Sequence, residues 1–121
     1  MPNGRKLILI ADDDRAVLDA LQFALGLEGF RVRVHASGAR LLADPELPTA
    51  DCLIVDARMP GMDGFEVLGE LRARGAPPFA ILLTSHATPD IRARAAAAGA
   101  GLVLEKPLMD NTLMDALRTN L

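Results

Sequence analysis

A single cysteine, Cys52, stands in the chain, so no internal disulfide can form; because it opens an apolar run, its expected role is that of a small buried hydrophobe. No block of Lys and Arg tracks along the sequence, and the 16 acidic and 13 basic residues are spread out, which argues against direct contact with a nucleic-acid backbone. The N-terminal stretch "MPNGRKLILIADDD" lacks the apolar core and small-residue cleavage site of a signal peptide, and no run approaches the ~20 apolar residues of a membrane span. The expectation is a soluble cytoplasmic protein without a membrane partner. Neither a Walker A sequence nor G-x-G-x-x-G occurs, so a bound nucleotide would find no phosphate-cradling loop. Tryptophan and tyrosine are absent altogether.

What remains is enough for one packed core. The 121 residues are 50% hydrophobic, which fits a single domain over 1–121. Short apolar runs alternate with longer segments of helical period. "KLILIA" is followed by "DRAVLDALQFALGLEG", in which Val17, Leu18, Leu21 and Leu25 share a face and Gly29 suits the helix exit. "RVRVHA" alternates as a half-buried edge strand does. A short helix near Gly38 to Ala43 leads into the proline-containing loop "DPELPTAD". The units "CLIVDA" with "GFEVLGELRARG", "FAILLTS" with "TPDIRARAAAAGA", and "GLVLEK" with "MDNTLMDALRTNL" complete five strand–helix pairs. Such alternation predicts a doubly wound α/β domain, a parallel sheet with helices on both faces.

Open parallel sheets bind ligands beyond the carboxyl ends of their strands. The residues that end the apolar runs are Asp12 and Asp13, Asp56, Thr84 and Lys106. Taken singly, an aspartate after a strand is as readily a helix cap, and Asp14 is expected to be one. Jointly, Asp12, Asp13 and Asp56 would repel one another unless a cation joined them. A small set of oxygen ligands suits Mg²⁺ rather than zinc, and Mg²⁺ with few protein ligands usually meets a phosphate. Lys106 can pair with a phosphoryl oxygen and Thr84 can donate a hydroxyl proton to another. With no nucleotide loop, the phosphoryl group is expected on the protein itself, with Asp56 as the nucleophile that forms an acyl phosphate. Pro60 and Gly61 read as a turn, and Gly64 keeps bulk away from the pocket.

The motifs "LILIADDD", "LIVDARMPGMDG", "AILLTS" and "LEKP", in that order, resemble the receiver domains of two-component response regulators, the CheY-like proteins. The resemblance covers essentially the whole chain. It implies a five-stranded sheet of order 2-1-3-4-5, flavodoxin-like, and phosphoryl transfer to Asp56 from the phosphohistidine of a sensor histidine kinase or phosphotransfer protein. It implies direct Mg²⁺ ligation by Asp13 and Asp56, a water-mediated part for Asp12, and a ligand from the backbone carbonyl of Arg58. Thr84 and Lys106 take the switch and phosphate-pairing roles, and Lys106–Pro107 is expected to be a cis peptide. Arg58 and His86 stand where such domains tune hydrolysis of their own acyl phosphate, though a solvated loop histidine accounts for His86 as well. His35 is expected to be structural or solvated. The resemblance further implies a phosphorylation-linked homodimer or partner docking on the face made by Pro89–Ala98, Gly101–Glu105 and the last helix. One departure stands out: Val103 occupies the position of the family's switch aromatic.

Two other functions fit parts of the pattern. A Mg²⁺-dependent aspartyl phosphohydrolase would want a second acid two positions after Asp56, where Arg58 stands. A scaffold independent of phosphorylation would not need Asp12, Asp13, Asp56, Thr84 and Lys106 together. The expectation is therefore a phosphoacceptor that is not an enzyme on external substrates. A last helix ending at Leu121 without a linker reads as the end of a short, complete protein.

Overall fold

The computed structural model describes residues 5–75, 77–108 and 111–121. Strands β1 (Leu7–Ala11), β2 (Arg31–His35), β3 (Cys52–Asp56), β4 (Phe79–Thr84) and β5 (Leu102–Glu105) alternate with helices α1 (Arg15–Leu27), α2 (Gly38–Leu42), α3 (Gly64–Ala73), α4 (Pro89–Ala98) and α5 (Thr112–Asn120). The strands pair in parallel in the order β2-β1-β3-β4-β5, so the expected topology is the observed one.

The apolar runs explain the layers. Because side chains alternate across a strand, Leu7, Leu9, Leu53, Val55 and Leu82 point to one face and pack with Leu41, Val67, Leu68, Leu71 and Ala95 from α2, α3 and α4. Ile8, Ile10, Ile54, Ile81 and Leu83 point to the other and meet Leu18, Leu21 and Leu25 of α1 and Leu113 and Leu117 of α5. β1 and β3 are buried throughout, as central parallel strands covered on both faces must be. Cys52 is fully buried among them, with its thiol pushed up to about 12 by burial and by the nearby charge of Asp51, and it is not a reactive group.

Local chemistry fixes the helix ends. Asp14 caps α1 by accepting from the amides of Ala16 and Val17, as expected. Asp63 and Glu66 form a reciprocal capping box that starts α3 directly after the "MPGM" turn. Gly99 ends α4 at a φ of +102°, a conformation that favours glycine. The "DPELPTAD" segment is less irregular than expected, since Leu47–Thr49 form a 3-10 turn. Met109 and Asp110, read as the start of the last helix, lie outside the described residues. Lys106–Pro107 is cis, as the resemblance implied. Among the described residues no helix is long and apolar enough to cross a membrane.

The edge strand β2 is held by ions. Asp44, just after α2, is buried, and its Oδ2 accepts from Arg33 Nε at 2.7 Å and lies 2.7 Å from His35 Nε2. Glu46 pairs with Arg31 at 2.8 Å and with Arg33 at 2.9 Å. His35 is thus structural, the first of its two expected roles.

Candidate functional site

The carboxyl ends of β1, β3, β4 and β5 converge because the sheet registers their last residues: Ala11 lies beside Val55, Asp56 beside Leu83, and Thr84 beside Glu105. The polar residues that follow or end these strands therefore face one crevice. Asp12 is fully buried; its amide donates to the His35 carbonyl at 3.1 Å, and its Oδ1 accepts from the Asp14 amide at 2.9 Å. Its Oδ2 accepts from Lys106 Nζ at 2.9 Å. Lys106 Nζ also stands 3.3 Å from Asp56 Oδ1, while the Arg58 amide donates to that same oxygen at 3.4 Å. One oxygen of each of Asp12, Asp13 and Asp56 lies within 4.8 Å of the others. Asp12 and Asp56 are buried and Asp13 is exposed, so the cluster opens to solvent on one side.

The electrostatics follow from this packing. Burial, and then the charge of Asp12, raise the Asp56 carboxyl above the usual carboxylate range; Lys106 and the Arg58 amide act in the opposite sense without cancelling them. Lys106 is opposed by burial, yet its hydrogen bond to Asp12 and the two carboxylate charges raise it above its ordinary value, so it is a firmly held cation. Three hard oxygen donors with no His or Cys among them can hold a divalent cation of the Mg²⁺ kind.

Of the remaining predicted residues, Arg58, Thr84 and His86 border this centre and Val103 does not. Thr84 is buried, and its hydroxyl closes a turn within its own loop, accepting from the His86 amide at 3.2 Å and donating to the His86 carbonyl at 3.3 Å. Asp13, Arg58, Thr84 and His86 line an open cleft of about 630 Å³ that extends to Phe65 and to Arg94, whose guanidinium lies 4.0 Å from the Phe65 ring centroid. Val103 is outside the cleft, half-buried on β5, at a smaller hollow of about 280 Å³ that it shares with Arg92 and Glu105. Sequence reasoning missed two acidic residues. Asp44 lies at the start of a proline-containing loop, and Glu105 is the last residue of β5, as its place in the run suggests, but its carboxylate also accepts from the Ala87 amide at 3.2 Å.

The sequence model of the response regulator receiver domain matches residues 8–118. The chain belongs to the response regulator receiver family. Among its relatives are the transcriptional regulatory protein FixJ of Azorhizobium caulinodans, 40% identical over 93% of this chain and 53% of the relative, and the C4-dicarboxylate transport transcriptional regulatory protein DctR of Rhodobacter capsulatus, 41% identical over 88% and 55%. The receiver thus spans about half the length of these two regulators. Among solved structures, the chemotaxis protein CheY4 of Vibrio cholerae superposes with a TM-score of 0.91 at 28% identity, covering 98% of this chain and 100% of that one. TrrA of Thermotoga maritima, solved in complex with Mg²⁺ and BeF, superposes at 0.85 with 28% identity over 96% and 99%.

Proposed function

We propose that this receiver accepts a phosphoryl group on Asp56 from the phosphohistidine of a sensor histidine kinase or phosphotransfer protein. The observation that supports this most directly is the Lys106 ammonium set between Asp12 and Asp56, at 2.9 and 3.3 Å, beside an open acidic cluster. An Asp56 carboxylate oxygen attacks phosphorus; the P–N bond breaks, its electron pair leaves with the imidazole, and the imidazole takes up a proton. Asp12, Asp13 and Asp56, with the Arg58 carbonyl, would hold Mg²⁺, which when bound supplies positive charge against the phosphoryl oxygens. Lys106 then pairs with one phosphoryl oxygen, and the Thr84 hydroxyl leaves His86 to donate to another. Arg58 and His86, on the rim of the same cleft, are placed to influence how water reaches the acyl phosphate.

On this reading the chain is not an enzyme on external substrates; its only turnover is loss of its own phosphoryl group, and it works in the cytoplasm. Arg58, standing where a phosphohydrolase would carry a second acid, favours the acceptor role. The absence of a basic block keeps the receiver itself off nucleic acid, and phosphorylation-linked association is assigned to the α4–β5–α5 face. Incubation with acetyl phosphate and Mg²⁺ tests the proposal. One acid-stable, hydroxylamine-sensitive label per chain, absent from Asp56→Asn, is the expected result. Turnover of unrelated phosphate esters supports a phosphohydrolase, and no label supports a scaffold.

A further inference from the structure

Thr84 reaches a phosphoryl group on Asp56 only if its hydroxyl lets go of His86, and the next residue of that loop is held on both sides. The Ala87 amide donates to Glu105 Oε2 at 3.2 Å, and the Ala87 carbonyl accepts from Arg92 Nε at 3.3 Å. Glu105 is well placed for this, because the β4–β5 register sets it directly beside Thr84 at the strand end, and the Lys106 amide donates to the Thr84 carbonyl at 2.8 Å. Strand β5 is thereby tied to the root of the loop by backbone and to its middle by a carboxylate. Val103, two residues earlier, carries no polar atom that could do the same.

We infer that Glu105 is a positioning residue for the phosphoacceptor reaction: with Arg92 it fixes Ala87 so that the Thr84 hydroxyl stays closed on His86, and phosphorylation must break this hold. The inference rests on the phosphoacceptor reading. A contact made in the resting arrangement and lost in the phosphorylated one biases the equilibrium toward rest, so its removal strengthens binding of a phosphoryl mimic. A residue that merely supported the fold would act in the opposite direction, since loosening the strand end would weaken the site.

The experiment titrates beryllofluoride, with saturating Mg²⁺, into the wild type, Glu105→Ala, Glu105→Gln and Arg92→Ala, and follows the amide shifts of His86 and Ala87. Glu105→Ala should bind beryllofluoride roughly three- to tenfold more tightly, with both amides already displaced toward their mimic-bound positions before it is added. Arg92→Ala should move the same way by about two- to threefold. Glu105→Gln retains an acceptor oxygen and should stay within about twofold of the wild type. If the wild type binds the mimic while Glu105→Ala and Arg92→Ala bind it equally well or less well, the positioning role is wrong and the phosphoacceptor reading stands. If the wild type itself fails to bind, both are wrong.

Discussion

Lys106 and Asp12, separated by 94 positions in the chain, meet at 2.9 Å, and with the 3.3 Å approach of Lys106 to Asp56 this sets the cation that follows β5 against the carboxylates at the ends of β1 and β3. In the resting protein the ammonium offsets two buried negative charges that also attract metal. Replacing Lys106 by Ala should therefore split two properties that a simple loss of structure would lower together. Mg²⁺ affinity should rise several-fold, because the carboxylates lose their competing cation, while beryllofluoride affinity falls at least tenfold through loss of its pairing partner. Parallel metal and beryllofluoride titrations check this; a fall in both sinks it.

Asp56→Asn should abolish labelling by acetyl phosphate and leave the circular dichroism spectrum unchanged, since the amide keeps the shape but not the nucleophile. Asp13→Ala should weaken Mg²⁺ binding and, by removing one of three mutually repelling carboxylates, make the metal-free protein no less stable. Isothermal titration and thermal unfolding without metal measure the two effects.

The legibility of this chain followed its physics. Buried parallel strands must be apolar without interruption, so "LILIA", "CLIV" and "AILL" exposed both the sheet and the polar residues that end each run. Those ends face one another by topology, and Asp12, Asp13, Asp56, Thr84 and Lys106 could be grouped before any distance was known. Asp44 could not, because a lone aspartate between α2 and a proline gives no sign of burial. Its only advance signal was the alternation of "RVRVH", which aligns Arg33 and His35 on one face of an edge strand. Glu105 was equally silent, since its partner is a backbone amide, which has no sequence signature.

Asp44 carries a pH dependence of defined sign. Burial pushes its carboxyl upward, but hydrogen bonds from Arg33, the Glu46 amide and His35 more than reverse this and hold it at about 2. A folded value below the ordinary 3.8 means that its stabilisation is complete above that pH and is lost as pH falls toward 2. Asp44→Asn should therefore cost about 2 kcal/mol near neutrality, and the gap from wild type should be about half closed by pH 3. Urea unfolding at the two pH values decides; a gap that stays constant counts against the ion cluster as its source.

Gly64 begins α3 where a Cβ would lie 2.5 Å from the Asp56 carbonyl oxygen and 3.0 Å from the Ala57 Cα, neither of which can rotate away. Gly64→Ala should cost roughly 1–3 kcal/mol by overpacking, and should slow labelling of Asp56 as well, because the strand end must move to admit the methyl group. Gly69, with open space around it in the same helix, supplies the control: Gly69→Ala should be neutral or stabilising by up to about 1 kcal/mol in the same unfolding assay.

The ions along β2 also govern how the sheet meets its neighbours. An edge strand offers backbone groups to any second strand that comes alongside, and this one would bring Arg31, Arg33 and His35 of each copy close together. Asp44 and Glu46 are already paired with these side chains within their own chain, so a second strand could approach only by disturbing the ion pairs that hold β2. Strand addition and the aggregation that follows from it are disfavoured at this border of the sheet.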